Sequence, residues 1–289
     1  MKSREWNVAR TRTVLRRLLW GAQEVGLKRT LAGGVRLASL VIRQPVRSEV
    51  VIARSGLRFA FHYPAQLMPL LVVFQELMDP ELSLLARVLG PGRVAIDVGA
   101  SIGTWTVCAA KTGATVHACE PDDENFAVLR ENVVLNGLAS KVVTHCVALA
   151  SGEGWSHGTQ SRRRYLSRFA LSEGSVAHGT RVWSLDRFVG SLGLSRVDVL
   201  KVNTAGYEAE VLGGTRELFR QGKVGLALVL DGLAVRPVID GLAEFSYQFG
   251  FYDNGQRKFI QASASSRLDD LRPGPMNRYI LVKHCGLTL

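Results

Sequence analysis

Two glycines and two carboxylates within one short region of the chain could bind a cofactor. Gly99 and Gly103 follow an apolar run that contains Asp97, and Glu120 closes a second apolar run 23 positions after Asp97. Glycine lets the backbone turn tightly after a strand and lets a ligand approach closely. An acid about 20 residues beyond such a turn can accept hydrogen bonds from both hydroxyls of a ribose. The region therefore predicts a site for a cofactor that contains a nucleoside.

The spacing of the glycines distinguishes two classes of cofactor. Dinucleotide sites have the pattern G-x-G-x-x-G, whereas this chain has D-x-G-x-x-x-G, which argues against a nicotinamide dehydrogenase. An acid before the turn repels a pyrophosphate and suits the positively charged amino acid end of S-adenosylmethionine. We therefore expect S-adenosylmethionine as the cofactor. The expected cofactor-binding residues are Asp97, Gly99, Ala100, Ser101, Gly103 and Glu120.

Alternating apolar patterns predict that an α/β sheet positions these residues. The predicted strands after the glycine turn are 142–149, 197–203, 224–231, 257–261 and 277–283. Helical patterns lie between them, at 207–219 and from Pro237, where Val238, Leu242, Phe245 and Phe249 share one face. Before the turn, 50–63 predicts a hairpin and 77–89 a lead-in helix. Repeated strand and helix units are typical of a doubly wound, Rossmann-like parallel sheet.

Positive charge is concentrated at the N-terminus. The chain has a net charge of +11, and residues 1–50 contribute 11 basic against 3 acidic side chains. Within 8–22, apolar residues form one helical stripe with arginines on the other side. Such a helix can lie on an anionic membrane surface or pack against the main domain with its basic face in water, and the pattern fits both.

Several classes of protein do not fit the composition. No apolar run reaches the roughly 18 residues of a membrane-spanning helix, and Arg16 and Arg17 interrupt the only early apolar stretch that could resemble a signal peptide. The four cysteines lack C-x-x-C spacing, so we expect neither a metal site nor a disulfide framework. We expect a cytoplasmic protein with peripheral contact to the inner face of the membrane.

Several motifs together resemble the FkbM-type family of class I S-adenosylmethionine-dependent methyltransferases. The matching pieces are residues 97–103, Glu120-Pro121, Asn125, Leu129, Asn132, Asn136-Gly137, 184–186 and 199–214. The resemblance covers roughly residues 50–285, and the order of the motifs makes it fairly specific. It implies a seven-stranded sheet with an antiparallel last strand. It also implies methyl transfer to a hydroxyl of a sugar, glycolipid or secondary metabolite.

One motif departs from the family's pattern K-[IV]-D-V-E-G-x-E. Lys201, Gly206 and Glu208 match it, but Asn203 and Ala205 replace its two acids. An amide can orient an acceptor hydroxyl but cannot remove its proton. Glu208 and Asp231 are the substitute acids that we expect, because sites in such sheets form outside the carboxyl ends of the strands. The expected catalytic residues are therefore Asn203, Glu208 and Asp231.

Two other functions fit parts of the sequence. Loss of both family acids suits a catalytically impaired relative that binds the cofactor and acts as a partner subunit. A nucleic-acid methyltransferase fits less well, because Asn203 is followed by Thr204-Ala205-Gly206 rather than by the Pro-Pro-aromatic motif of base-methylating enzymes. We divide the chain into a basic helical extension at 1–49, a hairpin and lead-in helix at 50–90, and a methyltransferase domain at 91–289.

Overall fold

A computed structural model describes most of the chain. The described residues are 19, 23, 26–43, 45, 47–52, 55–62, 68–75, 79–159, 168–172, 180–274 and 276–289, with side chains left out at 68–70, 156–159 and 168–172. The basic helix predicted over 8–22 lies outside these residues, apart from Leu19. In the described part of the chain, no helix combines the length and the apolar character needed to cross a bilayer.

The strands are numbered along the chain. They are β1 Arg47–Val51, β2 Arg58–His62, β3 Val94–Val98, β4 Thr115–Cys119, β5 Val142–His145, β6 Ala148–Leu149, β7 Gly154–Thr159, β8 Arg168–Ser172, β9 Thr180–Trp183, β10 Val197–Val202, β11 Val224–Leu230, β12 Tyr247–Asp253, β13 Lys258–Gln261 and β14 Tyr279–His284.

The α-helices follow the same convention. They are α1 Leu27–Arg43, α2 Met68–Phe74, α3 Leu85–Val88, α4 Thr104–Lys111, α5 Asp123–Leu135, α6 Leu185–Ser191, α7 Glu208–Gly213, α8 Arg216–Arg220, α9 Arg236–Leu242 and α10 Leu268–Leu271. Short 3-10 helices lie at Pro80–Leu84, Ala243–Phe245 and Ser265–Arg267.

The main sheet has the order β5-β4-β3-β10-β11-β14-β12-β13. The first five of these strands are parallel, and β14 runs antiparallel to both β11 and β12. This arrangement confirms the predicted doubly wound sheet with an antiparallel last strand. β13 extends the expected seven strands by an eighth, because it pairs antiparallel with β12 at the edge. The carboxyl ends of the parallel strands therefore meet at one edge of the sheet.

The predicted hairpin is confirmed and packs on the cofactor-binding half of the sheet. β1 and β2 pair antiparallel, from Arg47 opposite His62 to Val51 opposite Arg58. The buried Asn132 side chain of α5 joins the hairpin to the glycine turn. Its Nδ2 donates to Ala60 O at 3.0 Å and to Ile102 O at 2.7 Å, and its Oδ1 accepts from the Ala60 N–H at 2.7 Å. One amide thus connects three segments.

The predicted helix from Pro237 was wrong in its second half. α9 ends at Leu242, and Phe249 lies in β12, which pairs with β14 and β13. The spacing of the apolar residues fits a helix, but the backbones of β12 and β13 approach so closely that a Cβ at Gly250 would overlap the carbonyl of Ile260. Strand pairing therefore determined the structure of a segment whose local pattern was ambiguous.

Two further predicted elements are each divided in the structure. The strand predicted at 142–149 becomes β5 in the main sheet and β6 in a second sheet of order β6-β9-β7-β8. The helix predicted at 207–219 becomes α7 and α8. Between these helices, Gly214 lies against the backbone of Ala150, where an added Cβ would come closer than 3.0 Å to the carbonyl oxygen. Close approach of this glycine to the backbone that follows β6 explains the break.

Candidate functional site

A cavity of about 520 Å³ opens at the carboxyl ends of the parallel strands. Its walls come from the glycine turn after β3, from Glu120 after β4 and from the loop after β10. Five of the expected site residues line it: Gly99, Ala100, Ser101, Glu120 and Asn203. The structure thus brings residues from three separate strand ends to one cavity.

The glycine turn is held by close backbone packing. Gly99 has φ +74°, and a Cβ there would lie less than 3.0 Å from the carbonyl oxygen of Asn203, closer than real Cβ atoms approach. The N–H groups of Gly99 and Ala100 both donate to Cys119 O at 3.0 Å. Gly103, with φ +85°, faces Leu129 of α5 instead of the cavity. Gly99 therefore allows the turn to approach β10, and Gly103 allows it to pack on α5.

The carboxylate of Glu120 is fixed at the cavity wall by backbone donors. Its Oε2 accepts from the Ser101 N–H at 2.7 Å, and its Oε1 accepts from the Asp122 N–H at 3.1 Å. The side chain is buried, and this burial raises its pKa from an ordinary 4.5 to about 7. A buried carboxylate held in this way can still accept hydrogen bonds from two neighbouring ligand hydroxyls.

Asp97 lies beneath the glycine turn and is fully buried. Its Oδ1 lies 2.7 Å from Lys201 Nζ, and its Oδ2 accepts from Thr106 Oγ1 at 2.6 Å. The same Lys201 ammonium donates to Gly99 O at 2.8 Å and lines the cavity. The register of β3 and β10 explains the ion pair, because it sets Asp97 directly opposite Lys201. Asp97 thus acts on the turn through Lys201, and its role in binding the cofactor stays a prediction.

The far wall of the cavity contains residues that the sequence did not single out. Asn203 Nδ2 donates to Tyr279 Oη at 2.8 Å, and the guanidinium of Arg278 forms an ion pair with Asp79. Asp79, Arg278 and Tyr279 all line the cavity. Burial, followed by the charge of Asp79, raises the pKa of Tyr279 well above its ordinary 10.0, so the phenol stays protonated. The sequence does contain a signal for Arg278 and Tyr279, because both are polar residues at the start of the antiparallel last strand. Such a strand begins at the edge of the sheet where the parallel strands end.

The two acids expected to replace the family's carboxylates hold loops in place. The Glu208 carboxylate accepts from the N–H groups of Thr204, at 2.7 Å, and Gly206, at 3.0 Å. The Asp231 carboxylate forms ion pairs with Arg236, at 2.9 Å, and with Arg272. Neither belongs to the residues that line the cavity. Both carboxylates therefore stabilise loops beside the cavity. A catalytic role for either residue stays a prediction.

Two buried polar atoms at the cavity wall have no hydrogen-bond partner in the described part of the chain. They are Trp105 Nε1 and Thr204 Oγ1. Buried polar groups in folded proteins are almost always paired, with protein, water or a ligand. The two atoms are therefore available to hydrogen-bond with water or with a ligand in the cavity.

The sequence itself decides the family. Residues 97–253, more than half of the chain, match the methyltransferase FkbM domain. This chain belongs to the FkbM methyltransferase family. The expected family membership is thus confirmed, and the match includes both the glycine turn and the strand that precedes Asn203.

Sequence identity to an individual member of the family is low. The chain is 28% identical over 160 residues to 31-O-demethyl-FK506 methyltransferase FkbM of Streptomyces tacrolimicus, a match that spans 45% of this chain and 62% of that one. Less than two thirds of that relative's length is therefore covered.

Among solved structures, two similar chains are the ribosomal protein L11 methylase of Lactobacillus delbrueckii subsp. bulgaricus and the precorrin-6y C5,15-methyltransferase of Geobacter metallireducens GS-15. The first is 16% identical with a TM-score of 0.40 and covers 72% of this chain and 77% of that one. The second is 13% identical with a TM-score of 0.39 and covers 72% and 88%.

Glu81 is expected to make the stability of this FkbM-family protein depend on pH. The side chain is buried close to Asp79, and burial raises its pKa from 4.5 to about 8. The stabilisation linked to the proton is complete below pH 4.5 and is lost as pH rises through 8. We expect the free energy of unfolding to fall across this window by up to about 1.4 kcal/mol per pH unit.

Urea unfolding at a series of pH values measures this slope. In Glu81→Gln the side chain cannot ionise, so the slope between pH 7 and 8 should largely disappear, while the buried Glu120, with its pKa of about 7, still contributes to the slope at lower pH. The matched control is Glu124→Gln, because Glu124 is an exposed glutamate and should leave the slope unchanged. An equally steep slope in Glu81→Gln would show that other groups cause it.

Proposed function

We propose that this FkbM-family protein is an S-adenosylmethionine-dependent O-methyltransferase that acts on a hydroxyl of a sugar, glycolipid or secondary metabolite. The observation that carries the proposal is the Glu120 carboxylate, held by two backbone N–H groups beside the glycine turn. The relative from Streptomyces tacrolimicus is named as a methyltransferase of 31-O-demethyl-FK506. This name supports a hydroxyl as the acceptor of the methyl group.

The residues at the cofactor end fit S-adenosylmethionine. Glu120 would accept hydrogen bonds from the ribose hydroxyls. The backbone of the turn from Gly99 to Ser101 would lie beneath these hydroxyls. Trp105 Nε1 and Thr204 Oγ1 offer polar groups to the rest of the molecule. When bound, the cofactor supplies a methyl group on a positively charged sulfur.

The acceptor end would position a hydroxyl. Asn203, fixed by Tyr279, is the residue that we propose to orient the acceptor oxygen. Its amide cannot take the proton that the hydroxyl loses on methylation, so we propose that the Asp79 carboxylate, paired with Arg278 on the same wall, accepts this proton. We propose Glu208 and Asp231 as positioning residues, since each holds a loop near the cavity. Positioning of the acceptor in line with the methyl group is the main contribution that such a site makes.

Calorimetric titration with S-adenosylmethionine tests the cofactor assignment. We expect binding at micromolar concentration, and no binding at high micromolar concentration would overturn the proposal. Turnover is then measured as transfer of a labelled methyl group to hydroxylated glycolipids and macrolides. Asn203→Ala should lower kcat with little effect on cofactor affinity, because Asn203 would contact only the acceptor.

Cofactor affinity should depend on the ionisation of Glu120. Because its pKa is about 7, the carboxylate is ionised above that pH and protonated below it. The protonated form accepts hydrogen bonds poorly, so the Kd should rise as pH falls through 7, by up to about tenfold per pH unit.

Titrations of the wild type and Glu120→Gln across this range separate the effect of Glu120 from titration of the ligand. At high pH the variant should bind about 10- to 100-fold more weakly, because a hydrogen bond to a charged group is lost. Its affinity should also vary less with pH. Parallel pH profiles in the two proteins would remove Glu120 from the ribose site.

A second candidate is a partner subunit that binds the cofactor without turnover. It is favoured by Asn203 and Ala205 at the two positions where the family keeps acids, and by the engagement of Glu208 and Asp231 in loop contacts. Methylation by Asn203→Asp alone would support this candidate. Turnover by the unaltered chain would exclude it.

A further inference from the structure

Helix α1 has two apolar faces, and only one of them is packed against the protein. On the packed face, Thr30 and Gly33 are buried, and Leu37 and Leu40 contact the core. A Cβ at Gly33 would lie 2.8 Å from Val73 Cα, so the glycine permits close packing of α1 on α2. The helix is thus fixed to the folded domain through this face.

The second apolar face is exposed. Leu27, Leu31, Val35 and Ile42 recur at helical spacing on one side of α1, and Leu31, Val35 and Ile42 are 61%, 72% and 81% exposed. Single exposed apolar side chains are common on protein surfaces, but a continuous stripe of them marks an interaction surface. We call these four residues the outer stripe.

Positive charge borders the outer stripe. The remaining turns of α1 contain Lys28, Arg29, Arg36 and Arg43, and the helix has no acidic residue. Arg36 also donates to Glu49 O at 3.1 Å, which joins the helix to the hairpin. An apolar stripe beside a purely basic face matches a surface of anionic lipid headgroups over acyl chains. Charge therefore favours a lipid surface over a second copy of this chain, which would bring like charges together.

We propose that α1 docks the protein on an anionic phospholipid membrane, with the outer stripe inserted at the interface. This differs from the expectation drawn from residues 8–22, because it rests on the exposed face of Leu27–Arg43. The packed face of α1 is connected through α2 to the segment that leads to the cavity wall. Phe74 ends α2, which packs on α1, and Asp79 at the cavity wall follows five residues later. Five residues span at most about 18 Å, so Asp79 lies within about that distance of the end of α2.

Co-sedimentation of the full chain with vesicles tests the proposal without relying on turnover. We expect binding to vesicles of equal parts phosphatidylglycerol and phosphatidylcholine at low salt, and much weaker binding to phosphatidylcholine alone. Leu31→Glu with Val35→Glu should weaken binding by more than about tenfold, because two apolar side chains no longer enter the bilayer. Replacing Lys28, Arg29 and Arg43 with glutamine should weaken it about fivefold per charge.

The matched control is Leu233→Glu, which changes an exposed leucine outside α1. It should bind vesicles as the wild type does, and circular dichroism should show that all variants are folded. Equal vesicle binding by the wild type and the Leu31→Glu/Val35→Glu variant would overturn the proposal. So would a wild-type dimer that this variant converts to a monomer without any vesicle binding, because a second copy would then cover the outer stripe.

Discussion

Replacing Gly99 with alanine is expected to lower the free energy of unfolding by about 2–5 kcal/mol and to abolish measurable cofactor binding. Two effects add at this position. The residue has φ +74°, which disfavours any side chain, and the new Cβ would collide with the carbonyl of Asn203. The chain can relieve the collision only by separating β3 from β10, which moves the turn out of the cavity wall. Chemical denaturation and calorimetric titration measure the two losses.

Gly137→Ala is the matched control for the Gly99 variant. Gly137 has a similar φ of +67°, but an added Cβ there meets nothing within 4 Å. This variant should show only the conformational cost, about 1–2 kcal/mol, and unchanged cofactor affinity. Similar losses in both variants would mean that strain in φ, and not the approach of the two backbones, decides the geometry of the turn.

Removal of Asp97 is expected to produce the second large effect. Asp97→Ala leaves the Lys201 ammonium buried without its carboxylate, which should lower the free energy of unfolding by about 3–5 kcal/mol. Lys201 also donates to Gly99 O, so the glycine turn should loosen and the cofactor should bind more weakly. Denaturant unfolding of Asp97→Ala, Lys201→Met and the double variant forms a complete cycle.

The cycle has a clear expected result. The double variant should be more stable than Asp97→Ala, since it removes the unpaired charge together with its partner. Additive losses would mean that the two side chains do not interact. Arg196→Ala is the control, because Arg196 is an exposed partner of Asp198 and should change stability by no more than about 1 kcal/mol.

Local patterns in the sequence predicted the half of the site that binds the cofactor. Gly99 and Glu120 directly follow the neighbouring strands β3 and β4, so the register of one strand-turn-helix-strand unit brings them together. The acceptor half was not predictable in the same way. Asp79 and Arg278 lie 199 positions apart and meet only because β14 inserts between β11 and β12. No local spacing records such a contact.

The sequence predicted the positions of Glu208 and Asp231, but only the tertiary structure shows what their carboxylates bind. The sequence predicts Glu208 at the start of a helix and Asp231 at the end of a strand. In the structure Glu208 begins α7 and Asp231 directly follows β11. Only the folded chain shows that Glu208 binds backbone N–H groups and that Asp231 binds two arginines. A carboxylate is a base or a structural acceptor according to the groups around it, and those groups come from other segments.

The sequence by itself determined the glycine turn with Glu120 and the alternation of strands and helices along the chain, because these depend on glycine stereochemistry and on apolar periodicity within neighbouring segments. The family followed from the resemblance of its motifs. Tertiary structure alone decided that Phe249 lies in a strand, that Asp97 is paired with Lys201 beneath the turn, and that α1 exposes a second apolar face. Burial and pairing between distant segments set these outcomes, and they are properties of the packed chain.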